Sequence, residues 1–315
     1  MLPKNFYNGA GAGDIFNFGY AGVEFFFVLS GFIMMLVHRK DFGRPDRVGL
    51  FLYKRVVRIY PIYWMVLTFL VAIYFAAPGR GPDHARDVGA ILASYTLWPT
   101  PEGPIMAVAW TLQHEMLFYL LFATVLWNIR FGGLLFGGWM LACLLAIPAY
   151  HDLSHPLSFL LKPHNLLFAV GIATALIHDR IAPTPACWLL AFGILVLFGM
   201  GTAETIGGVV VFAGLLPLIY GLGSAFVMIG LTRGAVPIPQ WLKFLGDASY
   251  SIYLVHLPTM NILAAVLKPT GLHTILPPLA MLTLVTVWVT AVGCVVHSGI
   301  ERPLMALLKP ARREK

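Results

Sequence analysis

Nine stretches of the chain are each apolar over enough residues to approach or meet what a bilayer crossing requires, and no water-soluble fold accommodates that many. A helix needs about 20 mainly apolar residues to traverse the roughly 30 Å hydrocarbon layer. The stretches are 21–38, 60–77, 107–127, 131–149, 164–178, 186–201, 206–231, 248–267 and 275–297. The fifth and sixth are short. The seventh is long, and Gly207, Gly208, Gly214, Pro217, Gly221 and Gly223 mark kinks or close helix contacts along it. The segment 88–99 is too short to span and reads as interfacial or re-entrant. Composition agrees: of 315 residues, 59% are apolar and 11% charged, against roughly 25% charged in globular domains. The expected fold is an all-α integral membrane protein, a polytopic bundle of about nine transmembrane helices. An external segment 1–20 precedes the membrane domain 21–303, and a basic cytoplasmic tail 304–315 follows it. Residues 1–20 lack the basic head and apolar run of a cleavable leader.

The net charge of +7 does not form a basic face for nucleic acid; the cations sit in short loops between spans. Assigning alternate loops to opposite sides gathers 16 of the 21 Lys and Arg residues on one side. The positive-inside rule makes that side cytoplasmic, so the N-terminus is expected outside and the C-terminus inside. Cys143, Cys187 and Cys294 lie in or beside apolar runs, without the spacing of a disulfide framework or metal knuckle.

An ionisable side chain within a span is costly unless paired or facing water, so each one is a candidate for function. Glu24 shares a helical face with Phe27, Val28 and Gly31, which points its carboxylate into the bundle either as a structural cap or as part of a site. Glu115 has Thr111 one turn before it and Tyr119 one turn after, while His114 points elsewhere. Unpaired, Glu115 would suit a general acid or proton carrier; paired with Arg, it would stay ionised and orient a substrate; held by neighbouring hydroxyls, it would be structural. Ser249, Tyr253 and His256 fall on one stripe, and His256 is either a general base or a hydrogen-bonded packing residue. His297 and Glu301, four apart at the last boundary, read as an interfacial pair. Lys54, Arg55 and Arg58 stand where a span leaves the cytoplasm. They serve as a topology anchor, but Arg55 and Arg58 share a face, and their forks suit the phosphate of a ligand or lipid headgroup. P-loop, GxGxxG, HExxH and CxxC patterns are absent.

Taken in order, GVEFFFVLSGFIM (22–34), KRVVRIYPIYW (54–64), WTLQHEMLFY (110–119), SYSIYLVH (249–256) and IERP (300–303) resemble acyltransferase family 3. These are integral-membrane O-acyltransferases that decorate bacterial surface polysaccharides, O-antigens and Nod factors. The resemblance implies a protein of the bacterial inner membrane. It would take an acyl group, acetyl first among them, from cytoplasmic acyl-coenzyme A (acetyl-coenzyme A) and deliver it to a glycan hydroxyl outside. The donor is a substrate, with no permanently bound cofactor, and the partners are membrane lipids, acyl-CoA and the glycan acceptor, without nucleic acid. Carried over by motif, Lys54, Arg55 and Arg58 would hold donor phosphates. Glu24 and Ser30, Trp110, Glu115 and Tyr119, and Ser249, Tyr253 and His256 would line the central cavity. The family's first helix, with its basic residue and its His regarded as general base, has no counterpart here. The resemblance therefore implies a displaced start or a truncation, leaving His256 to serve as base or the protein inactive. The competing expectation is a transporter of a small acylated or carboxylated solute using the same buried charges, and a third is a degenerate subunit of an intact paralogue.

Overall fold

The structure is a computed structural model that describes residues 14–77, 79, 81–205, 214–234 and 237–308. Among these residues all regular structure is helical, and eight segments are long and apolar enough to cross a membrane. A 3-10 turn, Asp14–Ala21, leads into α1 (Gly22–His38). Next come α2 (Pro45–Ala76), α3 (Val88–Thr96), α4 (Ala109–Trp127), α5 (Ile129–Ala146) and α6 (Leu166–His178). The remainder are α7 (Pro183–Thr205), α8 (Leu216–Arg233), α9 (Gln240–Leu267), α10 (Pro278–Val296) and α11 (Arg302–Leu307).

Nine of these helices, all but α3 and α11, fall on the nine apolar stretches in order, while several ends differ. α2 starts at Pro45, well before the apolar stretch expected at 60–77, so Lys54, Arg55 and Arg58 are helical and continuous with the span. Pro at a first helical position and Asp46 in the first turn both favour that early start. α4 is 19 residues long, yet it is not among the eight, because Gln113, His114 and Glu115 follow one another near its start. Of the expected seventh span, residues 206–213, with Gly207 and Gly208, lie outside the described residues, as do 1–13 and 309–315 of the two terminal segments.

The segment 88–99 does not span. It forms the nine-residue α3, capped at its start by the Asp87 carboxylate, which accepts from the Ala90 amide at 2.7 Å, and ended by Leu97 at φ 56°. A helix this short leaves its last carbonyls open, and α2 supplies donors to them. Tyr63 donates to Ser94 O at 2.6 Å, Trp64 to Tyr95 O at 2.8 Å and Tyr60 to Thr96 O at 3.1 Å.

The chain forms two compact units, Tyr53–Leu112 with Ile238–Lys315 and Asp14–Leu52 with Gln113–Pro237. In the first, α9 packs on α10, where a Cβ on Gly293 would lie 2.5 Å from Ile252. In the second, α1 packs on α6 and α8, and α7 on α8. The α1–α6 crossing is backbone against backbone. A Cβ on Gly31 would lie 2.1 Å from Phe168 O, and one on Gly171 2.0 Å from Val28 O. Without a strong hydrophobic drive between helices in lipid, such close small-residue contact carries association. Phe27 and Phe168 meet edge to face at 4.8 Å beside this seam, and Phe118 stacks on Phe168 at 4.2 Å.

Candidate functional site

Among the described residues, the polar side chains of interest sunk among apolar helices fall into two clusters, one in each unit. The first surrounds Glu301. After α10 the backbone widens into a π turn over His297–Glu301, a local form that often marks functional positions. Glu301 is buried to 1% exposure, and three donors, one from this turn and two from other helices, meet its carboxylate. Arg58 donates to Oε1 at 2.5 Å, Ser251 to Oε2 at 2.6 Å, and His297 Nδ1 stands 2.8 Å from Oε2. The Arg58 side chain remains 40% exposed, and its guanidinium lies over the Tyr250 ring at 5.3 Å. Tyr250 is fixed in turn by donating to Ile59 O at 2.7 Å. A planar fork held on one edge by a carboxylate and over one face by an aromatic ring is pre-oriented to bind an anion with its remaining donors.

In the same unit Tyr253 donates to Val108 O at 2.8 Å and pairs with the Thr111 hydroxyl at 2.7 Å. His256 Nδ1 lies 2.5 Å from Tyr253 O, one turn back in its own helix. A carbonyl only accepts, so Nδ1 carries the hydrogen and Nε2 is the acceptor nitrogen.

The second cluster surrounds Glu115, which is 4% exposed. Ser30 on α1 donates to Oε1 at 3.0 Å, and Tyr119 donates to the same oxygen at 2.5 Å. Two hydroxyls thus donate to the Glu115 carboxylate. One residue earlier, His114 stacks on Phe159 at 4.3 Å, and its Nδ1 lies 2.9 Å from Asn165 Oδ1. Asn165 Nδ2 donates to Leu160 O at 3.0 Å and Phe159 O at 3.4 Å. The amide oxygen therefore faces His114, whose Nδ1 must be the donor. Near the start of α1, Glu24, 2% exposed, has Oε1 3.5 Å from His164 Nε2.

Several residues singled out by sequence thus fall into these clusters. Glu115, Tyr119 and Ser30 share one hydrogen-bond group, and Glu24 faces the interior together with Phe27, Val28 and Gly31, all buried. Arg58 belongs to the Glu301 cluster, Arg55 and Trp110 are half-buried, and Lys54 is exposed. Thr111 turns to Tyr253 instead of joining Glu115 and Tyr119. Ser249 is exposed in the largely uncovered first turns of α9, and Ser251 contributes the buried hydroxyl instead. His297 and Glu301 do pair, at 2.8 Å, and both are buried at the centre of a cluster where the π turn places them. Sequence reasoning missed His164 and Asn165, which sit in a 3-10 turn where no helical period operates.

The sequence profile of the acyltransferase domain matches residues 2–298. The exopolysaccharide production protein ExoZ of Rhizobium meliloti (strain 1021) is 31% identical over 314 residues, covering 93% of this chain and 92% of that protein. No solved structure matches the chain at a significant level.

Proposed function

Because the chain belongs to this acyltransferase family, we propose that it transfers an acyl group, acetyl first, from cytoplasmic acyl-coenzyme A to a hydroxyl of a polysaccharide outside the bacterial inner membrane. The polysaccharide acceptor is supported by the similar protein named for exopolysaccharide production. The orientation, N-terminus outside and C-terminus inside, is supported by the gathering of Lys and Arg on one set of loops. The observation that carries the reading is Arg58: a buried Glu301 and the Tyr250 ring hold its guanidinium while 40% of the side chain stays exposed. With Arg55 and Lys54 on the same helix, it forms the basic mouth that a nucleotide-bearing thioester needs.

Glu115, Ser30 and Tyr119 act as positioning groups within their own unit, and Trp110, Tyr253 and His256 are the polar candidates of the unit that holds Arg58. The reaction is acyl transfer: the acceptor oxygen bonds to the thioester carbonyl carbon, and the carbon–sulfur bond breaks. Family membership favours this enzyme over the solute carrier. The test follows a labelled acetyl group from acetyl-coenzyme A onto cell-surface polysaccharide. Arg58→Ala removes charge-assisted bonds of about 1.5–3 kcal/mol, so donor affinity should fall by about 10-fold or more. Unchanged labelling and donor affinity in this variant would overturn the assignment.

A further inference from the structure

Three helices of the second unit carry cations at one end and a carboxylate ringed by phenols at the other. α1 runs into Arg39, α7 follows Arg180, and α8 closes with Arg233. Arg39 Nη1 lies 3.4 Å from Asp179 Oδ2, and Arg233 donates to Ile181 O at 2.9 Å, so these basic ends meet in space. In the proposed orientation they face the cytoplasm. The opposite ends of α1, α7 and α8 are then the outer ones.

At those ends Glu204, in the last turn of α7, receives two phenols. Tyr20, in the 3-10 turn that leads into α1, shares its hydroxyl hydrogen between the two carboxylate oxygens at 2.6 Å each, and Tyr220, early in α8, donates to Oε2 at 2.8 Å. The two rings meet edge to face at 5.8 Å. Tyr220 is fully buried, Glu204 is half-buried, and Tyr20 keeps 44% of its surface. The backbone of Tyr20 is fixed two residues earlier by Phe18, which meets Phe198 edge to face at 5.4 Å and sits so close to Gly201 that a Cβ there would lie 2.3 Å from its ring.

Tyrosines at a membrane boundary ordinarily send their hydroxyls to water and headgroups. Here both hydroxyls turn to one carboxylate. Their hydrogens are spent, so what the group still offers is acceptor capacity on carboxylate and phenol oxygens, beside an exposed ring. Such an array repels a phosphate or a uronate and suits a ligand rich in hydroxyl donors, while the ring offers an apolar face to C–H groups. A neutral sugar presents both.

We propose that Tyr20, Glu204 and Tyr220 form a subsite for the acceptor glycan, an inference that rests on the reading of the chain as an acyltransferase acting on an external polysaccharide. Glu204 accepts hydrogen bonds from hydroxyls of a neutral sugar unit, Tyr20 packs against that unit's C–H face, and Tyr220 fixes the carboxylate. The three residues bind and orient the acceptor and take no part in the bond changes.

The experiment uses the full chain in detergent, so that both faces are open, with acetyl-coenzyme A labelled in its acetyl group and de-esterified oligosaccharides from the surface polysaccharide of the producing bacterium. Oligosaccharide binding is measured without donor, and the KM values for oligosaccharide and donor are measured separately. A hydrogen bond to a charged group is worth about 10-fold or more, so Glu204→Gln should raise the oligosaccharide KM and dissociation constant by about that factor. The donor KM should stay within a factor of about 3, which a general loss of structure would not allow. Tyr20→Ala should weaken oligosaccharide binding more than Tyr20→Phe, which keeps the ring. Oligosaccharide KM unchanged in Glu204→Gln and Tyr20→Ala overturns the subsite. So does an equal rise in both KM values, or retention of phosphatidylethanolamine that depends on Glu204 while oligosaccharide binding does not. Wild-type protein that binds the oligosaccharide through Glu204 but transfers no acetyl would instead overturn the acyl-transfer reading.

Discussion

Glu301 accepts from Arg58, Ser251 and His297 at once, so its loss strands three donors rather than one. Arg58 is partly solvated and the other two are not, which places the cost of Glu301→Ala at about 1–3 kcal/mol. It should lower the thermal midpoint in detergent by several degrees, and Ser251→Ala, which removes one donor, should lower it less. Glu301→Ala should also weaken donor binding, because Arg58 loses the group that orients it. At this scale the sequence was legible where a residue's partner lies on its own helix. Tyr119 one turn beyond Glu115 is the clear case. Ser251 was not legible: it lies two positions from Ser249 and so on another side of α9, and the π turn that makes that side the buried one belongs to a segment about 50 residues away. His164 was hidden for a related reason, since a partner brought by the crossing of two helices leaves no local period.

Between elements, the α1–α6 seam should be the least tolerant contact in its unit. Gly171→Val would drive a side chain into the Val28 carbonyl, which is backbone and cannot swing aside. Folded protein recovered from membranes should fall sharply, and with it the Glu24–His164 pair. Gly137 on α5 has open space around its Cβ position. Gly137→Ala should therefore leave stability unchanged or raise it by up to about 1 kcal/mol. The apolar cores of the helices were readable because hydrocarbon thickness sets their length. Their ends were less so: the start of α2 is charged and amphipathic, and its helical period continues where its hydrophobicity stops.

Across the whole molecule, the charge bias predicts which loops meet which compartment. With Cys187 and Cys294 replaced by Ser and the buried Cys143 kept, Gly103→Cys should react with an impermeant maleimide in intact cells. Arg180→Cys should react only after the membrane is opened. The reverse pattern would invert the orientation. The all-helical, many-span plan was legible from apolar length alone, with eight of the nine expected spans long and apolar enough among the described residues; the division into two units was not, because it depends on which helices pair rather than on how many there are. One consequence concerns how the protein is made. α4 carries Gln113, His114 and Glu115 in succession, and Ser30 and Asn165, from segments on either side of it in the chain, satisfy the last two. Polar groups within a helix oppose its release into lipid, so these three near the start of α4 weaken its integration on its own. A nascent chain halted just after Trp127 should hold this segment poorly in the bilayer, and extension past α6 should secure it. The same polar groups proposed to position substrate thus impose an order of biogenesis, in which a later hairpin rescues an earlier, reluctant one.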